Sequence, residues 1–270
     1  MKLCNLICGV LLLFSVTASR ASDIDRQYHL LAHRGGVTES GIHPENSLAA
    51  LDAAIERGYS GVEIDVRQSK DGKLFLYHNR TFERDYDSKA RAEDLTWAEI
   101  QRLRPLREDG KVPVSMEEYC NYCKGKLSEL MIDIKVDKPS LAFYQEVERI
   151  LTETGFLESS YFIGHGEYFL GKAKITMLIR EKDEFFKKYG DKTKDYYFLF
   201  AGIDEINSRL IQWCEKEGIQ IMACVNRPYR EPLTPENIEN AGKDLEWLKS
   251  WGVKYFQIDS DYDRPFRAGK

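Results

Sequence analysis

Long apolar stretches are scarce in this 270-residue chain. After the first 21 positions no run is apolar enough to span a bilayer. No membrane span is therefore expected beyond the leader, whose alternative reading is a retained anchor. Positive charge is also short, with 39 Lys and Arg against 44 Asp and Glu. Such an acidic balance argues against a general nucleic-acid binder. No Gly-x-Gly-x-x-Gly fingerprint follows a strand-like segment, which counts against a dinucleotide fold. Cysteine is sparse at six, and no second Cys pair or His pair has the spacing of a zinc site beside Cys120 and Cys123. No disulfide is demanded by the spacing. Low-complexity runs and internal repeats are missing, so neither disorder nor a solenoid is expected.

What is present begins with an export leader. Lys2 supplies a positive start, Leu6 to Val16 is a short apolar run, and Ala18-Ser19-Arg20-Ala21 offers small residues for cleavage. Residues 1–21 are read as a signal peptide, with cleavage after Ala18 or Ala21. Residues 22–270 are read as one domain. The product is expected to be exported, periplasmic or secreted, with no stable membrane anchor. Without Lys2 and Arg20, 37 basic residues face 44 acidic ones, a formal charge of −7.

The most informative stretch is Val62 to His78. Glu63 and Asp65 are two residues apart, so on a strand both point to one face. Lys70-Asp71-Gly72 supplies turn chemistry. A chain that reverses there sets position 65 opposite about 77, and 63 opposite about 79. His78 is thereby delivered beside the two carboxylates.

Upstream, a strand from Tyr28 to Ala32 runs into His33-Arg34-Gly35-Gly36. Two glycines in a row imply a sharp turn or a close backbone approach. Asn46 or Ser47 caps a helix carrying Leu48, Leu51 and Ile55, and Gly58 ends it. Downstream, residues 80–113 are polar and irregular, with one short helix at Thr96 to Leu103. Further helices are expected at Ser115 to Lys124, Ser140 to Thr154, Asn207 to Glu217 and Asp244 to Trp251. Strands are expected at Leu130 to Lys135, Tyr161 to Gly164, Ile175 to Ile179, Tyr196 to Phe200, Ile219 to Val225 and Lys254 to Ile258. Alternating strands and helices over this length predict an α/β fold, a (β/α)8 TIM barrel with an inserted segment after the hairpin strand. A doubly wound open sheet is the alternative.

In such a barrel the working residues lie at the carboxyl ends of strands. Those ends supply His33 and Arg34, then Glu63 and Asp65 with His78, then Asp133 and Lys135. They also supply His165, Asn226 with Arg227, and Asp259 with Asp261. Glu63, Asp65 and Asp133 form a cage suited to one hard divalent cation, Mg²⁺ or Ca²⁺. His33 and His78 suit general acid and base, and Arg34 and Lys135 suit phosphate oxygens. Cations around a metal point to a phosphodiester, a small-molecule substrate with an anionic transition state. His165 is left between pocket wall and surface, and Asp259 and Asp261 are read as capping or salt-bridging residues. A non-catalytic head-group binder on the same barrel is the rival. A sugar hydrolase ranks lower, because it would want opposed carboxylates without flanking cations.

On these residues the chain resembles the glycerophosphodiester phosphodiesterase family. The matching pieces are Ala32-His33-Arg34-Gly35, Pro44-Glu45-Asn46-Ser47, Glu63-Ile64-Asp65-Val66 with Lys70-Asp71-Gly72, and His78-Asn79. Asp133-Ile134-Lys135, Val225-Asn226 and Gly252 to Asp259 continue the match. The resemblance implies a TIM barrel that cleaves glycerophosphodiesters to glycerol 3-phosphate and an alcohol with Ca²⁺ or Mg²⁺. It implies His33 and His78 as acid/base pair, Glu63, Asp65 and Asp133 as metal ligands, and Arg34 and Lys135 as phosphate contacts. The chain departs from the family where Asp133 stands for Glu, Asn79 for Asp, and Ala223-Cys224 for Trp-Thr, so a related phosphodiesterase acting on inositol-type or other lipid head-group diesters is the alternative.

Overall fold

The computed structural model describes residues 24–226 and 232–267. The leader and Arg227 lie outside the described residues. The strands are β1 His29–Ala32, β2 Gly61–Gln68, β3 Leu74–Leu76, β4 Glu129–Ile134, β5 Ser160–Ile163, β6 Lys174–Met177, β7 Tyr197–Gly202, β8 Ile221–Val225 and β9 Tyr255–Ile258. The helices are α1 Leu48–Arg57, α2 Trp97–Ile100, α3 Met116–Cys123, α4 Leu141–Thr154, α5 Lys182–Tyr189, α6 Thr193–Tyr196, α7 Ser208–Glu217 and α8 Pro235–Ser250.

All strands but β3 are parallel. They close into a ring because β1 pairs with both β2 and β9. β3 returns antiparallel along β2, with Val66 opposite Leu76. That register sets 65 against 77, and the Tyr77 amide donates to the Asp65 carbonyl at 3.0 Å.

Strand alternation explains both layers of the core. Leu31, Met131, Tyr161, Phe198 and Met222 fill the barrel interior. Their neighbours Leu30, Ala32, Val62, Ile64, Leu130 and Ile132 pack outward against the helices. Stepping two residues from Leu31 and Met131 towards the carboxyl ends reaches His33 and Asp133, which therefore share the interior face.

Caps set the elements that position the site. Ser47 accepts from the Ala50 amide, and Gly58 ends α1 at φ 85°. Gly36 lies at φ 140°, and a Cβ there would sit 2.2 Å from the Ala50 carbonyl. The close approach read from the glycine pair is thus the packing of this loop on α1.

Three expectations need correction. No helix was expected between β6 and β7, where α5 and α6 form. That stretch is dense in Lys, Asp and Glu, so few apolar positions mark a period. Helix α8 starts at Pro235, not Asp244. Its start is written in the Thr234 cap and Pro at the first position rather than in apolar spacing. Helix α2 is a single turn closed by a Thr96–Glu99 capping box.

Phe82, Tyr86, Ala92 and Ile100 of the insert form a second small core with Phe75 of β3 and Tyr77 just after it. Buried Arg67 fastens it to the barrel, donating to Glu93 at 2.6 Å, the Lys135 carbonyl at 3.0 Å and the His78 carbonyl at 2.9 Å. No helix among the described residues is long and apolar enough to cross a membrane. Cys120, Cys123, Cys214 and Cys224 are free thiols.

Candidate active site

The parallel register sets Asp65 opposite Asp133 and places Glu63 one inward step below. One oxygen from each of Glu63, Asp65 and Asp133 lies within 4.8 Å of the others. Asp65 is held by Asn46, whose Nδ2 donates to Oδ2 at 2.8 Å and whose Oδ1 accepts from the Asp65 amide at 3.2 Å. Asn46 has a left-handed φ of 54°. Among the described residues Asp65 Oδ1 accepts no hydrogen bond, although it is buried. Lys135 Nζ stands 3.1 Å from it without hydrogen-bond alignment and donates to Asp133 Oδ2 at 2.6 Å.

Burial and the neighbouring Asp65 charge push Glu63 up to about 8. Burial also raises Asp65, but Lys135, His78 and the Asn46 bond outweigh it and hold Asp65 below its ordinary value. Three crowded carboxylate oxygen donors, in excess of the one Lys135 cation beside them, fit a hard divalent cation.

The two histidines stand in opposite surroundings. His33 Nδ1 lies 2.7 Å from Asp259 Oδ1, and its Nε2 is 3.9 Å from Glu63 Oε2. Burial disfavours its charged form. The Asp259 bond and the Glu63 and Asp259 charges outweigh burial and raise His33 above its ordinary value. His78 Nδ1 faces Asn79 Oδ1 at 2.9 Å, and its Nε2 faces an Arg34 guanidinium nitrogen at 3.3 Å. An amide oxygen on one side and a donor on the other favour neutral imidazole with the proton on Nδ1. Burial, with Arg34 and Lys135 pushing the same way, holds His78 below its ordinary value against the pull of Asp65.

Arg34 sits at φ 55°. Its amide donates to Glu63 Oε2 at 2.8 Å, and its side chain donates to Glu45 Oε1 at 2.6 Å. Its Nε is buried and donates to nothing among the described residues. Glu45 Oε2 in turn accepts from Arg84 of the insert at 2.6 Å.

His33, Arg34, Glu63, Asp65, His78, Asp133 and Lys135 converge on one barrel mouth. Lys135 is engaged by the carboxylates there. His165 is exposed, and Asn226 turns to Gln257 at 3.4 Å. Asp259, read as a capping or salt-bridging residue, makes no side-chain cap and is the partner of His33. Asn46, Glu45 and Arg84 were missed as site residues. Asn46 had a signal: two cap-type residues stand in a row where α1 needs one.

The family model described as Glycerophosphoryl diester phosphodiesterase family matches residues 33–179, more than half of the chain. Glycerophosphodiester phosphodiesterase 1 of Homo sapiens is 35% identical over 113 residues, covering 39% of this chain and 33% of the relative. A glycerophosphodiester phosphodiesterase of Bacillus altitudinis is 30% identical over 128 residues, covering 46% of this chain and 51% of the relative. The chain thus aligns over about one third to one half of the length of these curated relatives. A solved glycerophosphoryl diester phosphodiesterase from Parabacteroides distasonis superposes with TM-score 0.68 at 20% identity, covering 91% of this chain and 87% of that one. An Oleispira antarctica phosphodiesterase, solved with the product sn-glycerol-3-phosphate, superposes with TM-score 0.65 at 16% identity, covering 87% and 93%.

Proposed function

The chain belongs to the glycerophosphoryl diester phosphodiesterase family, and from that premise we propose that it hydrolyses glycerophosphodiesters to glycerol 3-phosphate and an alcohol. One observation carries the proposal. Two histidines with opposed hydrogen-bond partners flank a three-carboxylate cluster at a barrel mouth.

Glu63, Asp65 and Asp133 would hold the ion, Mg²⁺ or Ca²⁺, and the ion would neutralise a non-bridging phosphate oxygen. Arg34 offers its guanidinium group to the phosphate, and Lys135 adds a second cation. The neutral Nε2 of His78 accepts the proton of the attacking water. The Nε2 of His33, whose imidazolium is supported by Asp259, gives a proton to the departing alcohol oxygen. Pairs of titratable groups pushed in opposite directions suit such a division of labour. Export of the mature chain is part of this reading.

The test is purified mature protein stripped with chelator and reloaded with Mg²⁺ or Ca²⁺. Ion-dependent release of glycerol 3-phosphate from a panel of glycerophosphodiesters is expected. No release from folded, ion-loaded protein would sink the reading.

A further inference from the structure

Arg34 is held from three sides. Its backbone sits at φ 55° with the amide on Glu63 Oε2 at 2.8 Å. Its Nη1 donates to Glu45 Oε1 at 2.6 Å, and its Nη2 lies 3.3 Å from His78 Nε2. A long guanidinium side chain has much rotamer freedom, so its aim is set by the groups that hold it.

Glu45 is held in turn. Its second oxygen, Oε2, accepts from Arg84 Nη2 at 2.6 Å. Arg84 Nε donates to both oxygens of Asp85, at 2.9 and 3.0 Å. Asp85 Oδ2 accepts from the Tyr77 hydroxyl at 3.0 Å, and Tyr77 directly precedes His78 in the chain. The contacts therefore close a circuit, from His78 through Tyr77, Asp85, Arg84, Glu45 and Arg34 back to His78. Arg84 and Asp85 belong to the insert, where Phe82 is fully buried and stacks on Tyr77 with ring centroids 4.8 Å apart. An insert seated in this way fixes both ends of the circuit.

We propose that Arg84 is a positioning residue for the hydrolysis: acting through Glu45, it aims the Arg34 guanidinium at the phosphate while keeping it beside the His78 ring. The inference rests on the phosphodiesterase reading above. Arg34 then sets the separation between the phosphate and the nitrogen that takes the water proton. A misplacement of about 1 Å would cost on the order of 100-fold in rate, and a partial loosening costs less. The insert thus contributes to turnover without touching the reacting atoms.

The test is a kinetic cycle on the ion-loaded protein with glycerophosphocholine. Arg84→Met is expected to lower kcat about tenfold and to leave KM within about twofold, because Arg34 keeps its charge and loses its aim. In an Arg34→Ala background the same substitution is expected to change kcat less than about twofold. A residue that only stabilises the fold would leave kcat per folded molecule unchanged in both backgrounds. Arg84→Gln is the second variant if Arg84→Met does not fold, and the same pattern is expected of it. Unchanged kcat in the parent chain, or an equal loss in both backgrounds, would overturn the inference. Absence of turnover by the parent chain would count against the phosphodiesterase reading. Nitrogen-15 spectra of the histidine rings then decide the inference separately. With five histidines in the chain, the His78 signals are assigned by their absence in His78→Ala. The His78 Nε2 resonance is expected to shift in Arg84→Met as it does in Arg34→Ala. An unmoved His78 resonance in Arg84→Met would overturn the inference.

Discussion

His33 and Asp259, 226 positions apart, meet at 2.7 Å between Nδ1 and Oδ1. The contact exists because β1 and β9 are ring neighbours, with Ala32 opposite Ile258. It fixes the orientation of the ring and supports its charged form. Asp259→Asn should therefore lower kcat about 100-fold, within the range for acid–base catalysis, with little change in KM. A group that must be protonated loses activity as pH rises through its folded pKa. Removing the carboxylate lowers that pKa, so the alkaline limb of the profile should move to lower pH. An unmoved limb would mean that His33 is not the acid.

His33→Ala and His78→Ala should each cost about 10²- to 10⁴-fold in turnover. Far-ultraviolet circular dichroism should show the barrel intact. Retained activity in both would refute the pair.

Ion binding should be linked to pH through Glu63. Burial and the Asp65 charge push that carboxyl up to about 8, so below this value an incoming cation must displace a proton. Affinity should rise with pH until about 8. Calorimetry in buffers of different ionisation heat should detect the released proton. Asp133→Asn should weaken binding, with turnover recovered at higher ion concentration.

Glu45 joins Arg34 to Arg84 of the insert through both carboxylate oxygens. Burial raises its pKa, but the two guanidinium groups more than offset this and hold it below the usual 4.5. The sign follows: its contribution is present above the unfolded value and is lost as pH falls through the lower folded value. Glu45→Gln should cost about 1.5 kcal/mol or more, the scale of a hydrogen bond to a charged group. Thermal unfolding should show a smaller loss between neutral and acid pH in the variant than in the parent chain.

Gly36→Ala should fail to fold or lose stability on the order of 3 kcal/mol. Its Cβ would lie 2.2 Å from the Ala50 carbonyl, at a φ of 140° that L side chains rarely adopt. Chemical denaturation would measure the loss, and an unchanged midpoint would contradict the packing described.

The sequence by itself determined what depends on neighbours a few residues apart. Alternation along β2 put Glu63 and Asp65 on one face, and the turn at Gly72 returned His78 beside them. Ser47 and Gly58 bounded α1 through their own cap chemistry. The repeat of strand and helix pointed to the barrel, and barrel geometry gathered the strand ends. Tertiary structure alone decided which distant groups touch. Asp259 reaches His33 only when the ring closes. Asn46 clamps Asp65 only because the loop after β1 folds over β2, and Arg84 finds Glu45 only once the insert is seated. Lys135 went to Asp65 and Asp133 because buried like charges draw in the nearest cation. Helix α5 escaped the pattern because a charged surface helix has little apolar period to read. Local periods are written in the chain, whereas closure, register and charge pairing are settled by packing.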